Sequence, residues 1–298
     1  MLEDAADALY VGAGHMVFLR SARLMAAPFD LEKLEVTGQP VPVVEGIMQA
    51  LNVGNAAYNT AAGQFSISAS GSITYAPGGI LPDSEDSLVW VDHKGKAEPI
   101  ASFKAPFFAP RLSPDFQSIA YYTAGKERQI WIYNLYRGTA TKLTSEGRAS
   151  RATWTPEGRR VAFAWSKAGP ENIYWQPADG SSPMERLTQS EYQQRPGSWS
   201  PDGKTLAIAQ QHPDIGWDIG LLQIPDRKVT PFLNSRFNEV YPEFSPDGRW
   251  IACGSNESGR QEVYVRPFPG PGGKSQISNE GGAEPLWSRN GKQLFYRR

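Results

Sequence analysis

Eight residues combine type and spacing in a way that could do chemistry: Asn59, Arg111, Arg151, Gln194, Arg195, Glu239, Glu243 and Glu284. Each stands upstream of one copy of a recurring turn, so the same architectural region is sampled again and again. Glu239, Glu243 and Glu284 with the amide of Asn59 offer the oxygen ligands that calcium prefers. An ion held there would polarise a carbonyl and activate water, with Glu239 and Glu243 as candidate catalytic carboxylates. Arg111, Arg151 and Arg195, joined by Gln194, suit a different chemistry. They can pair with those carboxylates, or bind an anionic group on a ligand. The three arginines tip the charge balance toward binding.

Other chemistries find little support. The three histidines, His15, His93 and His212, form no H-E-x-x-H zinc helix, and the chain has no G-x-S-x-G nucleophile elbow. His93, in "VDHKG", and His212, in "QQHPDIGW", read as turn and loop residues. The single cysteine, Cys253, lies in the apolar run "RWIACGS" and reads as a core thiol that no second cysteine can pair. The cluster Asp83, Ser84, Glu85, Asp86 lacks EF-hand spacing and reads as a solvated loop. The glycines of "PGPGG" lie between strands and cradle no phosphate.

The elements that must position the candidate residues come from an internal repeat. The turns "SASG" at Ser68, "SPDF" at Ser113, "TPEG" at Thr155, "SPDG" at Ser200 and Ser245, and "SRNG" at Ser288 are spaced by 45, 42, 45, 45 and 43 residues. Before each comes a short strand. Pro presets φ, Asp tolerates the next position, and Gly takes the one that needs positive φ. Then follow an apolar strand ("SIAYY", "RVAFA", "TLAIA", "WIACG"), a third ("QIWIYNL", "NIYWQP", "DIGLLQI", "EVYVRPF") and a short fourth. Four antiparallel strands per period of this length predict an all-β fold, a β-propeller. Leu112, Trp154, Trp199, Phe244 and Trp287, just before the turns, are expected to pack between neighbouring blades.

The expected domain is a single six-bladed propeller over 1–298, with blades at roughly 14–62, 63–105, 106–147, 148–192, 193–237 and 238–280. Residues 281–298 would complete the ring, "AEPLWS" supplying the first strand of the N-terminal blade. That arrangement leaves one surplus strand, "KQLFYRR" or "MVFLR", so a seventh, incomplete blade is the alternative. The central channel is the default site of such a ring.

The phrase "WSPDGxxLAF", repeated through most of the chain, resembles the PD40 (WD40-like) repeat of TolB-like propellers. "APFDLEKLEVTGQPVPVVEGI", "LVWVDHKGK" and "SNESGRQEVYVRPFPGPGGKSQIS" are similar to propeller modules C-terminal to bacterial serine/threonine kinases. The resemblance implies a periplasmic or extracytoplasmic sensor module that binds a protein, peptide or small ligand at its channel mouth. The kinase motifs and the small α/β domain of TolB itself are missing, so neither activity is implied. The abrupt stop after "QLFYRR" suggests a piece of a longer reading frame. By analogy of fold alone, six-bladed propellers include calcium-dependent lactonases, which would make small lactones such as N-acylhomoserine lactones the substrates.

Composition agrees with a globular chain. Of 298 residues 40% are hydrophobic and 20% charged, and nine Trp with 29 Gly and 24 Pro suit short strands and many turns. A net charge of −1 gives no field to attract nucleic acid, and no apolar run is long enough to insert in a membrane as a helix. "MLEDAADALY" has no signal-peptide pattern. A monomer is the expected state.

Overall fold

The computed structural model describes residues 5–12, 14–50, 61–68, 71–80, 86–92, 94–101, 103–123, 128–213, 216–270 and 272–298. They are all strand, turn and loop, and no helix among them is long and apolar enough to cross a membrane. Asn59, His93, Asp83, Ser84 and Glu85 lie outside the described residues. The chain forms two compact units, Met1–Asp86 and Ser87–Arg298.

In the second unit, four sheets of four antiparallel strands follow one another, each ordered as in the sequence. The first sheet is Phe107–Leu112, Ser118–Thr123, Ile130–Asn134 and Thr139–Lys142; the second is Arg148–Trp154, Arg160–Ser166, Asn172–Pro177 and Glu185–Arg186. The third comprises Gln194–Trp199, Thr205–His212, Gly216–Gln223 and Lys228–Leu233. The fourth comprises Glu239–Phe244, Trp250–Ser255, Glu262–Pro267 and Ser275–Gln276. Ala283–Trp287 then pairs with Leu294–Arg297, and Val89–Val91 pairs with Ala97–Pro99 ahead of the first sheet.

Local chemistry explains the repeated turn. The Ser200 hydroxyl accepts the N–H of Thr205 at 3.0 Å and donates to Asp202 at 2.6 Å. Ser245 does the same with Trp250 and Asp247, as does Ser113 with Ser118 and Asp115. Gly158, Gly203, Gly248 and Gly291 close these turns with φ between 66° and 72°. Phe116 takes the same left-handed position at 61°, which glycine would hold without strain.

The second strands are buried on both faces. Val161, Ala162, Phe163 and Ala164 are all inaccessible, as are Leu206, Ala207 and Ile208. That is the burial of sheets packed face to face, which removes the need for apolar–polar alternation. Trp154 joins a cluster with Ala120, Ile130 and Ile132 of the first sheet, and Trp199 one with Ala162 and Ile173 of the second. Phe244 packs on Ala207 and Leu221 of the third. The pre-turn residues pack between neighbouring sheets.

In the first unit, His15–Arg20 lies between Ala6–Val11 and Arg23–Asp30, and Arg23–Asp30 also carries Glu35–Val36 and Val41–Val44. A hairpin, Phe65–Ile67 with Ile73–Tyr75, packs on the sheet through Leu19, Leu24 and Ile47. The sequence places Ala283–Trp287 on the free edge of His15–Arg20, but Ala6–Val11 holds that edge. A hairpin partner a few residues away closes a far shorter loop than one from the far end of the chain. Ala283–Trp287 pairs instead with Leu294–Arg297, which lies in "KQLFYRR", one of the two candidates for the surplus strand.

Candidate functional site

Every first strand of the second unit is broken by a β-bulge, and the bulges build the site. In the second sheet Arg151 and Ala152 stand opposite one residue, between the pairs Ser150↔Ala164 and Thr153↔Ala162. Corresponding breaks fall at Phe108/Arg111, Val240/Glu243 and Ala283/Leu286. The residue four before the turn is left-handed in four of these five strands: Ala109 (44°), Arg151 (57°), Tyr241 (57°) and Glu284 (54°). Proline follows Ala109, Tyr241 and Glu284, and a bulge is one of the few places in a sheet that tolerates it. In the third sheet Pro196 holds that position and cannot adopt positive φ, so the break shifts to Pro196/Trp199. Non-glycine residues in this region cost roughly 1–2 kcal/mol each, and bulges of this kind re-aim side chains.

In and beside the bulges, side chains of the first and second sheets meet those of the fourth, which is the neighbour of neither. Arg151 of the second sheet lies over the Tyr241 ring of the fourth, 5.2 Å from its centroid. Arg111 of the first sheet lowers the carboxyl of Glu243 in the fourth. Arg195 of the third stacks on Trp217 of its own sheet at 4.3 Å and feels the charge of Arg151. The first strands of this unit therefore face a common centre. Two tryptophans fix its wall from behind: Trp154 donates its indole N–H to the Arg111 carbonyl at 2.8 Å, and Trp287 donates to the Glu243 carbonyl at 3.2 Å.

The electrostatics are those of a crowded cationic centre. Burial works against the charge of Arg151, and Tyr122, Tyr241 and Glu284 outweigh it. Burial and then the neighbouring Arg151 push Arg195 down, offset in part by Glu171 and Tyr241. None of the ion pairs among the described residues includes Arg111, Arg151 or Arg195. Glu284 bonds Arg297 instead, at 3.3 Å. Burial raises Glu243 to about 6, with Arg111 pulling it back.

The candidate residues thus divide. Arg111, Arg151, Arg195, Glu243 and Glu284 converge, whereas Gln194 and Glu239, each six before its turn, go to the seams between sheets. Gln194 accepts from Thr188 and donates to Gln210 at 2.7 Å; Glu239 accepts from the Ser235 hydroxyl at 2.6 Å. Among the described residues no group of three or more His, Cys, Asp or Glu is placed to hold a metal ion. Cys253 is inaccessible, its thiol pushed up to about 12 by burial. Tyr122, Tyr241, Trp217 and Glu171 join the centre without having been singled out in the sequence. Tyr241 shares the position of Arg151 and Glu284 relative to the turn and was findable by that alignment. Trp217 and Glu171 come from third strands and the loops before them, and nothing in the first-strand pattern points to them.

Repeat, sheet order and bulged inner strands define a β-propeller. The family model of the TolB beta propeller domain matches residues 83–215. Among solved structures, TolB from Acinetobacter baumannii superposes with a TM-score of 0.58 at 21% identity, over 87% of this chain and 60% of that one. A TolB-type structure from Agrobacterium tumefaciens gives 0.61 at 22%, over 70% and 75%. The chain has the β-propeller fold of these TolB structures, and residues 83–215 are similar to the TolB beta propeller domain. It is 25% identical over 182 residues to the "Uncharacterized peptidase YuxL" of Bacillus subtilis (strain 168), covering 58% of this chain and 26% of that protein. It is 26% identical over 163 residues to the "Uncharacterized protein Atu1656" of Agrobacterium fabrum, covering 53% and 54%. It spans about a quarter and about half of the lengths of these two relatives.

Proposed function

We propose that this propeller is a binding or sensor module whose central arginines receive an anionic group of a protein, peptide or small-molecule ligand. The carrying observation is that Arg151 and Arg195 are packed round by protein and set against Tyr241 and Trp217, yet no carboxylate among the described residues ion-pairs with either. Stacking fixes a guanidinium plane and leaves its N–H edge for a carboxylate or phosphate. Burial makes two adjacent cations unfavourable, so an arriving anion relieves a repulsion already present. The likeness in fold to TolB-type propellers is compatible with a peptide or protein as the carrier of that anion.

A calcium-dependent lactonase draws less support. Glu239 is buried in a seam away from Glu243 and Glu284, and the arginines oppose a second cation at the centre. The test is binding of an Asp/Glu-rich peptide and of its Asn/Gln counterpart, followed by tryptophan fluorescence, since Trp217 stacks on Arg195. Saturable binding of the acidic peptide alone supports the proposal. Equal binding of both, or lactone opening that EDTA abolishes and calcium restores, overturns it.

A further inference from the structure

Buried polar side chains bridge successive sheets at one repeated place, and one of these bridges differs from the others. The residue just ahead of the apolar part of each third strand is Gln129, Asn172, Asp218 or Glu262, all buried. Between the first and second sheets, Gln129 accepts from the Thr144 hydroxyl at 2.6 Å and donates to the Gly147 carbonyl at 2.9 Å. Between the second and third, Asn172 donates to the Ser190 carbonyl at 3.1 Å and accepts from Arg186 at 3.0 Å. Gln194, buried beside it, is equally satisfied. After the fourth sheet, Glu262 meets the Ser278 hydroxyl, the Gly281 N–H at 2.9 Å and Arg260 at 2.6 Å. Burial pushes its carboxyl up, but these donors together hold it below the ordinary range. Amides bring their own donors, and the one carboxylate is surrounded by them.

The seam between the third and fourth sheets has two carboxyls and too few donors. Asp218 stands where Asn172 stands, and Glu239 where Gln194 stands. Ser235 gives its hydroxyl to one oxygen of Glu239 and its backbone N–H to Asp218. Asp218 Oδ1 and Glu239 Oε2 have no hydrogen-bond partner, though Asp218 is 8% and Glu239 1% exposed. The charged and titratable neighbours do not fill the gap. His212, from the second strand of the third sheet, acts on Asp218, but its Nδ1 is unbonded. Arg266, from the third strand of the fourth, acts on Glu239, with its Nε likewise unbonded. Glu257, held by Lys274, adds negative charge, and Cys253 beside it stays a thiol.

We infer that Asp218 and Glu239 share a single proton, which supplies the missing donor and joins the third sheet to the fourth. Two buried carboxyls that face one another cannot both ionise without large loss, and one shared proton restores the pattern that amides give the seam before it. The carboxyls of both residues are raised: by burial in each case, with the charge of Asp218 also pushing Glu239. The folded chain therefore holds this proton more tightly than the unfolded chain. Its contribution to stability is whole below the ordinary carboxylate range, and falls as the pH rises through the folded titration.

The experiment is urea unfolding of the purified chain from pH 4 to pH 9, for the wild type, D218N, E239Q and the double amide variant. In the wild type the folding constant should fall by up to about tenfold per pH unit through the titration of this one proton. D218N and E239Q each put a permanent donor where the proton was. Each should flatten that part of the profile and keep or gain stability at neutral pH. In parallel, infrared spectra should show a buried protonated carboxyl that persists above the ordinary carboxylate range and that E239Q removes, a reading that does not depend on unfolding. Variants that keep the wild-type pH slope, or a spectrum in which E239Q removes no protonated carboxyl, would overturn the shared proton.

Discussion

A single methyl group at Gly197 should loosen the third sheet from the fourth and disturb the arginine centre with it. Gly197 lies in the bulge of the third sheet's first strand, and a Cβ built there would stand 2.4 Å from the Pro242 carbonyl oxygen. It would also stand 2.6 Å and 3.0 Å from Cγ and Cδ of the Pro242 ring. A carbon–oxygen contact needs about 3.3 Å, so the two inner strands must part by about 1 Å. The obstacle is backbone and a rigid ring, so no rotamer change relieves it. Gly197 is not among the left-handed glycines, which leaves contact as the operative effect. Overpacking of this kind costs about 1–3 kcal/mol. In urea unfolding, G197A should lower the midpoint by the corresponding amount with the m-value unchanged. Pro242 sits between Tyr241 and Glu243, so ligand affinity should fall as well. A variant with the wild-type midpoint and affinity would refute the reasoning, because it would mean that these strands separate freely.

Three further outcomes follow from the same geometry. W154F removes the indole donor to the Arg111 carbonyl; unfolding should show a loss of about 1 kcal/mol, with weaker ligand binding because Arg111 is no longer held. S245A removes a hydroxyl that accepts from Trp250 and donates to Asp247, and should lower stability by about 1 kcal/mol in the same assay. Glu243, raised from 4.5 to about 6 by burial, holds its proton more tightly when folded. Its contribution to stability should be greatest below pH 4.5, decline between about 4.5 and about 6, and then level off, a change on the order of 2 kcal/mol. E243Q should remove that part of the pH profile; an unchanged profile would place the titration elsewhere.

The repeat was legible because its turn carries its own chemistry. Ser hydroxyl, Asp carboxylate and left-handed Gly are local requirements, so they recur in the letters. The pre-turn aromatics were legible for a similar reason, each filling the same gap between sheets. The site was only half legible. Aligning first strands on the turn found Arg111, Arg151, Arg195, Glu243 and Glu284, but could not tell the centre from the seams, because the bulge changes which residues face inward. Glu239 and Gln194, six before the turn, fall outside the bulge and turn into the seams. The edge strand Ala6–Val11 was missed because it carries no copy of the turn, and hairpin proximity alone brings it to His15–Arg20. Trp217 and Glu171 reach the centre by tertiary packing, which no single period encodes.

The most direct test of the central claim is the affinity of an Asp/Glu-rich peptide for the wild type, R151M, R195M and the double variant, at low and at physiological salt. If the arginine centre is the binding site, each single variant should weaken binding by about tenfold or more, as expected for a hydrogen bond to a charged group. The double variant should abolish it, and salt should weaken what remains of the wild-type interaction. Binding that survives both substitutions in folded protein would contradict the account and place the ligand elsewhere on the propeller.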